Sequence, residues 1–172
     1  ILFALVAKDL PRPDKVQRVD GLSTVILDRN GETIYDIFKN QNRIPVLAED
    51  IPKALKEATV ATEDKEFFAH QGLSTKGITR AIINVVVFRK SLQSGSTLTQ
   101  QLVKNALLTN EQTMSRKIKE AILSIQIERK YTKDEILQMY LNEAPYGGTA
   151  VGVEAAAKYY FNKHTKELTV AE

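Results

Sequence analysis

Between positions 61 and 72 the chain reads ATEDKEFFAHQG, which sets two adjacent carboxylates, Glu63 and Asp64, just ahead of two aromatics, a histidine and a glycine. An acidic pair at a helix end is ordinarily a solvated terminus. Phe67 and Phe68 add a second possibility: rings that wall a carboxylate off from water raise its pKa and let it take or give a proton near neutral pH. His70 and Gly72 then permit a sharp turn and a polar tether. A third carboxylate, Glu120, follows Arg116 by four residues and Lys117 by three, inside a segment that is apolar on most sides. A plain helical ion pair accounts for that spacing. A carboxylate carried into a buried helix must, however, be paired or perturbed, which also makes it a candidate for chemistry. Between these acids lie Ser94, Gly95, Ser96 and Thr97, then Gln100, Gln101, Lys104 and Asn105. Glycine and hydroxyls at a helix start either cap it or hold an anion on free N–H groups. Gln100 with Lys104, and Gln101 with Asn105, share faces at a separation of four. Long hydrogen bonders beside a cation suit a sugar diphosphate, and equally a solvated surface.

The elements that must position these groups are mostly helical. Asp50 can cap and Pro52 suits a first turn, while Ala54, Leu55, Ala58 and Ala61 repeat at helical spacing and bring Glu63 to the last turn. A helix is expected over Thr75 to Phe88, with Ile78, Ala81, Ile82, Val85 and Val86 on one stripe. Its end, from Ile82 to Phe88 and then Arg89 and Lys90, fits either core packing or a segment dipping into a lipid interface. Leu98 to Leu108 makes the next helix. From Met114 to Lys130, Ile118, Ala121, Ile122 and Ile125 form a stripe with Leu123 and Ile127 opposite, the pattern of a buried central helix. Thr132 to Glu135 is a capping box opening a helix through Ile136, Leu137, Tyr140 and Leu141. After a loop from Asn142 to Thr149, a last helix carries Val153, Ala156, Ala157, Tyr160 and Phe161. Upstream, Asn30 and Gly31 between two β-prone runs signal a hairpin.

The 172 residues suffice for one domain with a real core, and 43% apolar with 26% charged residues is a globular rather than a disordered balance. Without cysteine there is no disulfide, thiolate metal site or thiol nucleophile. A net charge of +3 fits an anionic partner but provides no basic stripe with interleaved aromatics, which argues against nucleic acid. The opening run ILFALVA is too short to span a membrane by itself. It reads either as a buried strand or helix end or as the last turns of an anchor, and the chain reads as truncated at both termini.

ATEDKEFFAHQG, GSTLTQQLVKN, RKIKE, KDEILQMYLN and AVGVEAAAKYYF, in this order and at these separations, resemble the five blocks of the peptidoglycan glycosyltransferase domain of bifunctional penicillin-binding proteins and monofunctional transglycosylases. The blocks cover Ile51 to Lys163. The resemblance implies a mainly α, lysozyme-like lobe with a small membrane-apposed subdomain and a short N-terminal β-hairpin. It divides the chain into an anchor remnant over 1–7, a linker and hairpin over 8–44, and the glycosyltransferase domain over 45–172, truncated C-terminally. It implies polymerisation of lipid II into β-1,4-linked glycan strands at the extracytoplasmic face of a bacterial membrane, in a single-pass protein whose longer chain can carry a transpeptidase domain.

By the same resemblance, Glu63 matches the general base and Glu120 the second essential glutamate, near the diphosphate. Asp64, Phe67, His70, Ser96, Thr97, Gln100, Gln101, Lys104 and Asn105, with the basic Arg80, Arg116 and Lys117, fall at substrate-binding positions. A divalent cation, Mg²⁺, is implied by the family alone, and its ligands are not assigned. Three positions depart from the family pattern: Ser74 replaces a common aspartate, Ser94 a common glycine and Gln112 a common arginine. The chemistry agrees with this reading. A diphosphate is a stable leaving group that needs cations rather than a strong acid. One displacement with a base on the opposite face inverts an α-linked donor into a β product. The rival readings are a lysozyme-like hydrolase using Glu63 and Glu120, and a module that binds lipid II without turnover.

Overall fold

The computed structural model describes residues 10–16, 21–31, 33–74, 95–109, 111 and 113–172. Strands β1 (Thr24–Leu27) and β2 (Thr33–Ile37) form the antiparallel hairpin, registered Thr24 to Ile37 with an irregularity between Ile26 and Leu27. Its turn closes as Asp28 accepts the Asn30 N–H at 2.8 Å and Gly31 takes a φ of 86°, which glycine adopts without steric cost. Most of the ribbon is exposed on both faces, so it is an appendage to the core rather than a layer of it.

The connection onward is stitched to the far end of the chain. Strand β3 (Asn42–Arg43) pairs in parallel with β4 (Ala150–Val151). The Asn142 amide clamps Val46 from both sides, accepting its N–H at 2.9 Å and donating to its carbonyl at 3.0 Å. Arg43 and Glu143 form a buried ion pair at 3.3 Å.

Five helices follow among the described residues: α1 (Lys53–Glu63), α2 (Leu98–Leu107), α3 (Met114–Lys130), α4 (Lys133–Glu143) and α5 (Val153–Phe161). The class is therefore mainly α with a short N-terminal hairpin, as expected. Helix α2 packs against both α3 and α4. Their shared core holds Phe67, Leu98, Leu102, Leu123, Ile127, Ile136 and Leu141, all fully buried. Capping boxes at Thr97 with Gln100 and at Thr132 with Glu135 fix the starts of α2 and α4.

Three expectations are corrected. Asp50 does not cap α1: it lies in a 3₁₀ turn over Ala48–Asp50, and Pro52 is the N-cap without a side-chain bond. The buried face of α3 is Glu120, Leu123, Ser124 and Ile127, while Ile118, Ala121, Ile122 and Ile125 are half-buried. The missing side chain of Gly72 is what lets the chain there lie against α3, since a Cβ at that position would sit 2.9 Å from the Ser124 carbonyl oxygen. Tyr160 and Phe161 are exposed, and Ala155 takes their place beside Val153, Ala156 and Ala157. Val16, within the segment read as linker, is also 1% exposed and part of the main core, carried there by a 3₁₀ turn over Pro13–Val16 that packs on α2 and α3.

The expected helix over 75–88 with Arg80 and the membrane-apposed subdomain, together with Ser94, Gln112 and the 1–7 run, lies outside the described residues. Among the described residues no helix is long and apolar enough to cross a membrane.

Candidate active site

Helix α1 ends where Asp64 leaves helical geometry, and the next ten residues lock that end onto the start of α2. The Asp64 carboxylate accepts the Leu98 N–H at 3.0 Å and the His70 Nε2 at 2.8 Å. His70 Nδ1 in turn accepts the Gly72 N–H at 3.1 Å, and the Gly72 carbonyl accepts the Thr97 hydroxyl at 2.7 Å. Burial opposes ionisation of Asp64. The hydrogen bonds from His70 and Leu98, with the positive charge of Lys133 nearby, outweigh it and hold the carboxyl below its ordinary value. Asp64 is therefore a buried tie at the N-terminus of α2, where a negative charge is also favoured by the helix dipole.

Glu63, one residue earlier, points the other way and is exposed. The expected shielding of this carboxylate by Phe67 and Phe68 is not found. Phe67 is fully buried in the core beneath the Lys133 ammonium, 4.5 Å from its ring centre, and Phe68 stacks edge-on against it at 60% exposure. The rings near Glu63 are tyrosines instead. A hollow of about 400 Å³ is lined by Thr62 and Glu63 of α1, Gln101, Lys104 and Asn105 of α2, Tyr140 of α4 and Tyr146 of the following loop. Gln101 Nε2 donates to Glu63 at 2.9 Å, and the Tyr140 hydroxyl donates to Gln101 Oε1 at 3.3 Å. Burial, then the Glu63 charge, push the Tyr146 hydroxyl up to about 12; the same causes, with Tyr146 added, raise Tyr140 further. Both hydroxyls thus stay protonated donors at any physiological pH.

Glu120 occupies a different setting. It is 1% exposed and its two oxygens are taken by Arg116, at 2.9 Å, and by Lys117. Lys117 also donates to Ser96 Oγ at 2.7 Å, so the triad is bonded to the segment that leads into α2. Arg116 and Lys117 keep part of their side chains in solvent. Arg116 also lines a second hollow of about 570 Å³ with Leu10, Leu107, Thr113 and Lys119. The arrangement leaves Glu120 no free oxygen, and its chemical effect is to hold two cations in fixed places.

The structure thus brings Glu63, Gln101, Lys104 and Asn105 together in one hollow, and Glu120, Arg116, Lys117 and Ser96 in one cluster, with α2 leading from the second to the first. Asp64, Phe67, His70, Thr97 and Gln100 lie in the packing that sets the geometry. Glu120 lines neither of the two hollows. Sequence reasoning missed Tyr140 and Tyr146 as site residues. Tyr140 reads as a core position on its stripe, and its hydroxyl at the end of that stripe was the available signal.

A family model described as Transglycosylase matches residues 30–172. Penicillin-binding protein 1F of Bacillus subtilis is 44% identical over 159 residues, covering 92% of this chain and 22% of that protein. Penicillin-binding protein 1A of Rickettsia bellii is 45% identical over 170 residues, 96% of this chain and 21% of that protein. Penicillin-binding protein 1A of Clostridium botulinum is 41% identical over 178 aligned positions, all of this chain and 21% of that protein. The chain spans about a fifth of the length of these curated relatives.

Proposed function

The chain belongs to the transglycosylase family, and from that membership we propose that it is a peptidoglycan glycosyltransferase, polymerising lipid II into β-1,4-linked glycan strands. The observation that carries the reading is the hollow that an exposed carboxylate, Glu63, shares with the cation Lys104 and the amides of Gln101 and Asn105. In this reading Glu63 takes the proton from the acceptor sugar's 4-hydroxyl. That oxygen forms its bond to the donor's anomeric carbon as the bond to the diphosphate breaks, and the diphosphate leaves with the electron pair. Attack and departure on opposite faces invert the anomeric centre. Lys104, Arg116 and Lys117 offset the departing charge, and Glu120 holds the latter two where they are needed.

A divalent cation belongs to the same proposal only as a companion of the diphosphate oxygens. Among the described residues no three acidic or imidazole side chains converge to cage an ion, so these described groups do not fit a resident metal and no step runs through one. The membrane surface as working place, a membrane anchor with the catalytic lobe on the extracytoplasmic side, and a transpeptidase domain elsewhere in the longer protein complete the reading.

The test is polymer synthesis from labelled lipid II by the full-length protein and its Glu63→Gln variant. Loss of synthesis by about 1000-fold or more is expected, the range over which a positioned base and its charge act. Undiminished synthesis removes the mechanism, and soluble fragments released from purified peptidoglycan point to a hydrolase instead.

A further inference from the structure

Glu63 stands at the exposed end of a three-membered chain: carboxylate, Gln101 amide, Tyr140 hydroxyl. We propose that Tyr140 is a positioning residue for Glu63, acting through the Gln101 side chain. The inference rests on the reading of Glu63 as the base.

An amide is a donor at one end and an acceptor at the other, and only its NH₂ can meet an ionised carboxylate. With Gln101 Nε2 on Glu63 at 2.9 Å, Oε1 must face away, and at 3.3 Å it finds the Tyr140 hydroxyl. That hydroxyl belongs to a buried ring on α4 and is held protonated by burial and by the neighbouring negative charge. It can therefore donate to Oε1 throughout the working range of pH. Turned over, the amide would set its oxygen against the Glu63 carboxylate and withdraw the acceptor that the Tyr140 hydroxyl now meets.

The consequence is an orientation. Glu63 is attached to α1 by a flexible side chain and is exposed, so nothing in its own helix fixes its rotamer. The donor from Gln101 ties up one oxygen, Oε2, and leaves Oε1 for an incoming hydroxyl. The titratable groups lining this hollow are Glu63, Lys104, Tyr140 and Tyr146, and of these Tyr140 is the one bonded to the Gln101 oxygen.

Tyr140→Phe keeps the ring in the packing of α2 against α4 and removes one oxygen atom, and the melting temperature reports whether the fold is retained. In the full-length protein, Tyr140→Phe is expected to lower kcat about 5-fold or more with KM changed less than about 2-fold, because base orientation is used in the chemical step. In a Gln101→Met background the same change is expected to cost nothing further, since the link is already cut. Equal fold-losses in both backgrounds overturn the proposal and leave Tyr140 a packing residue. A second readout needs no catalysis: the two Gln101 amide protons are expected to give NMR resonances protected from exchange in wild type, and Tyr140→Phe is expected to shift them and speed their exchange. Resonances unmoved by Tyr140→Phe also overturn it. Full synthesis by Glu63→Gln sinks the base assignment instead, with the amide resonances still reporting on the tether.

Discussion

Glu63 and Glu120 belong to the same chemical type and meet opposite surroundings. Glu63 is exposed and touches one amide, whereas Glu120 is buried with each oxygen on a cation. Replacing Glu120 with Gln leaves Arg116 and Lys117 short of a counter-charge in a half-buried place. Stability is expected to fall by about 2–4 kcal/mol, read as a lower denaturant midpoint with an unchanged slope. Synthesis falls with it, and a full-strength enzyme at unchanged midpoint would show that the triad is idle. At this scale the sequence was partly legible. The spacing of Arg116 and Lys117 ahead of Glu120, and of Gln101 and Lys104 on one helix, places groups by helical geometry alone. The direction of Phe67 was not legible, because a turn after Asp64 sends it into the core while Glu63 faces out. Tyr140 and Tyr146 reach the hollow only through the packing of α4 on α2, which no local pattern encodes.

The tie between α1 and α2 is where element-scale energetics and the site meet. Asp64 holds the free Leu98 N–H at the start of α2, and its carboxyl is depressed below the ordinary 3.8 because the bonds and charges of its partners outweigh its burial. A depressed folded-state pKa contributes stability that is present above the unfolded value and is lost as pH falls through the folded one. Unfolding free energy is therefore expected to decline below about pH 4, and Asp64→Asn should flatten that decline by up to one proton, measured by denaturant titrations across the acid range. An identical acid slope in the variant would show that this tie carries no coupling. The capping box at Thr132 was readable because it is local, three residues from end to end, whereas at Thr97 the sequence left a cap and an anion site open and the structure shows the cap. The buried face of α3 was not, because apolar residues on both sides of that helix give its sequence two plausible stripes. The choice between them is made by α2, α4 and the close approach at Gly72.

At the scale of the molecule the chain is a helical lobe fastened to an exposed ribbon. In the proposed reading a divalent ion accompanies the substrate diphosphate rather than holding the fold together. Chelation by EDTA is therefore expected to slow synthesis without lowering the melting temperature, and a drop in melting temperature would reveal a structural metal. Composition and order of helices made the mainly α lobe legible. The core role of Val16 and the return of β3 to β4 depend on contacts between distant parts of the chain and were not.

That return has a mechanical side. The segment leaving the ribbon is gripped in succession by the Arg43–Glu143 pair, the parallel β3–β4 rungs and the Asn142 clamp on Val46. The gripped residues, Asn42 to Val46, all precede α1. A pull arriving from the N-terminal side is borne in shear by those grips and shunted into the end of α4 and the start of α5. The helix that presents Glu63 hangs downstream of the load, so tension on the arm can be resisted without tilting the carboxylate.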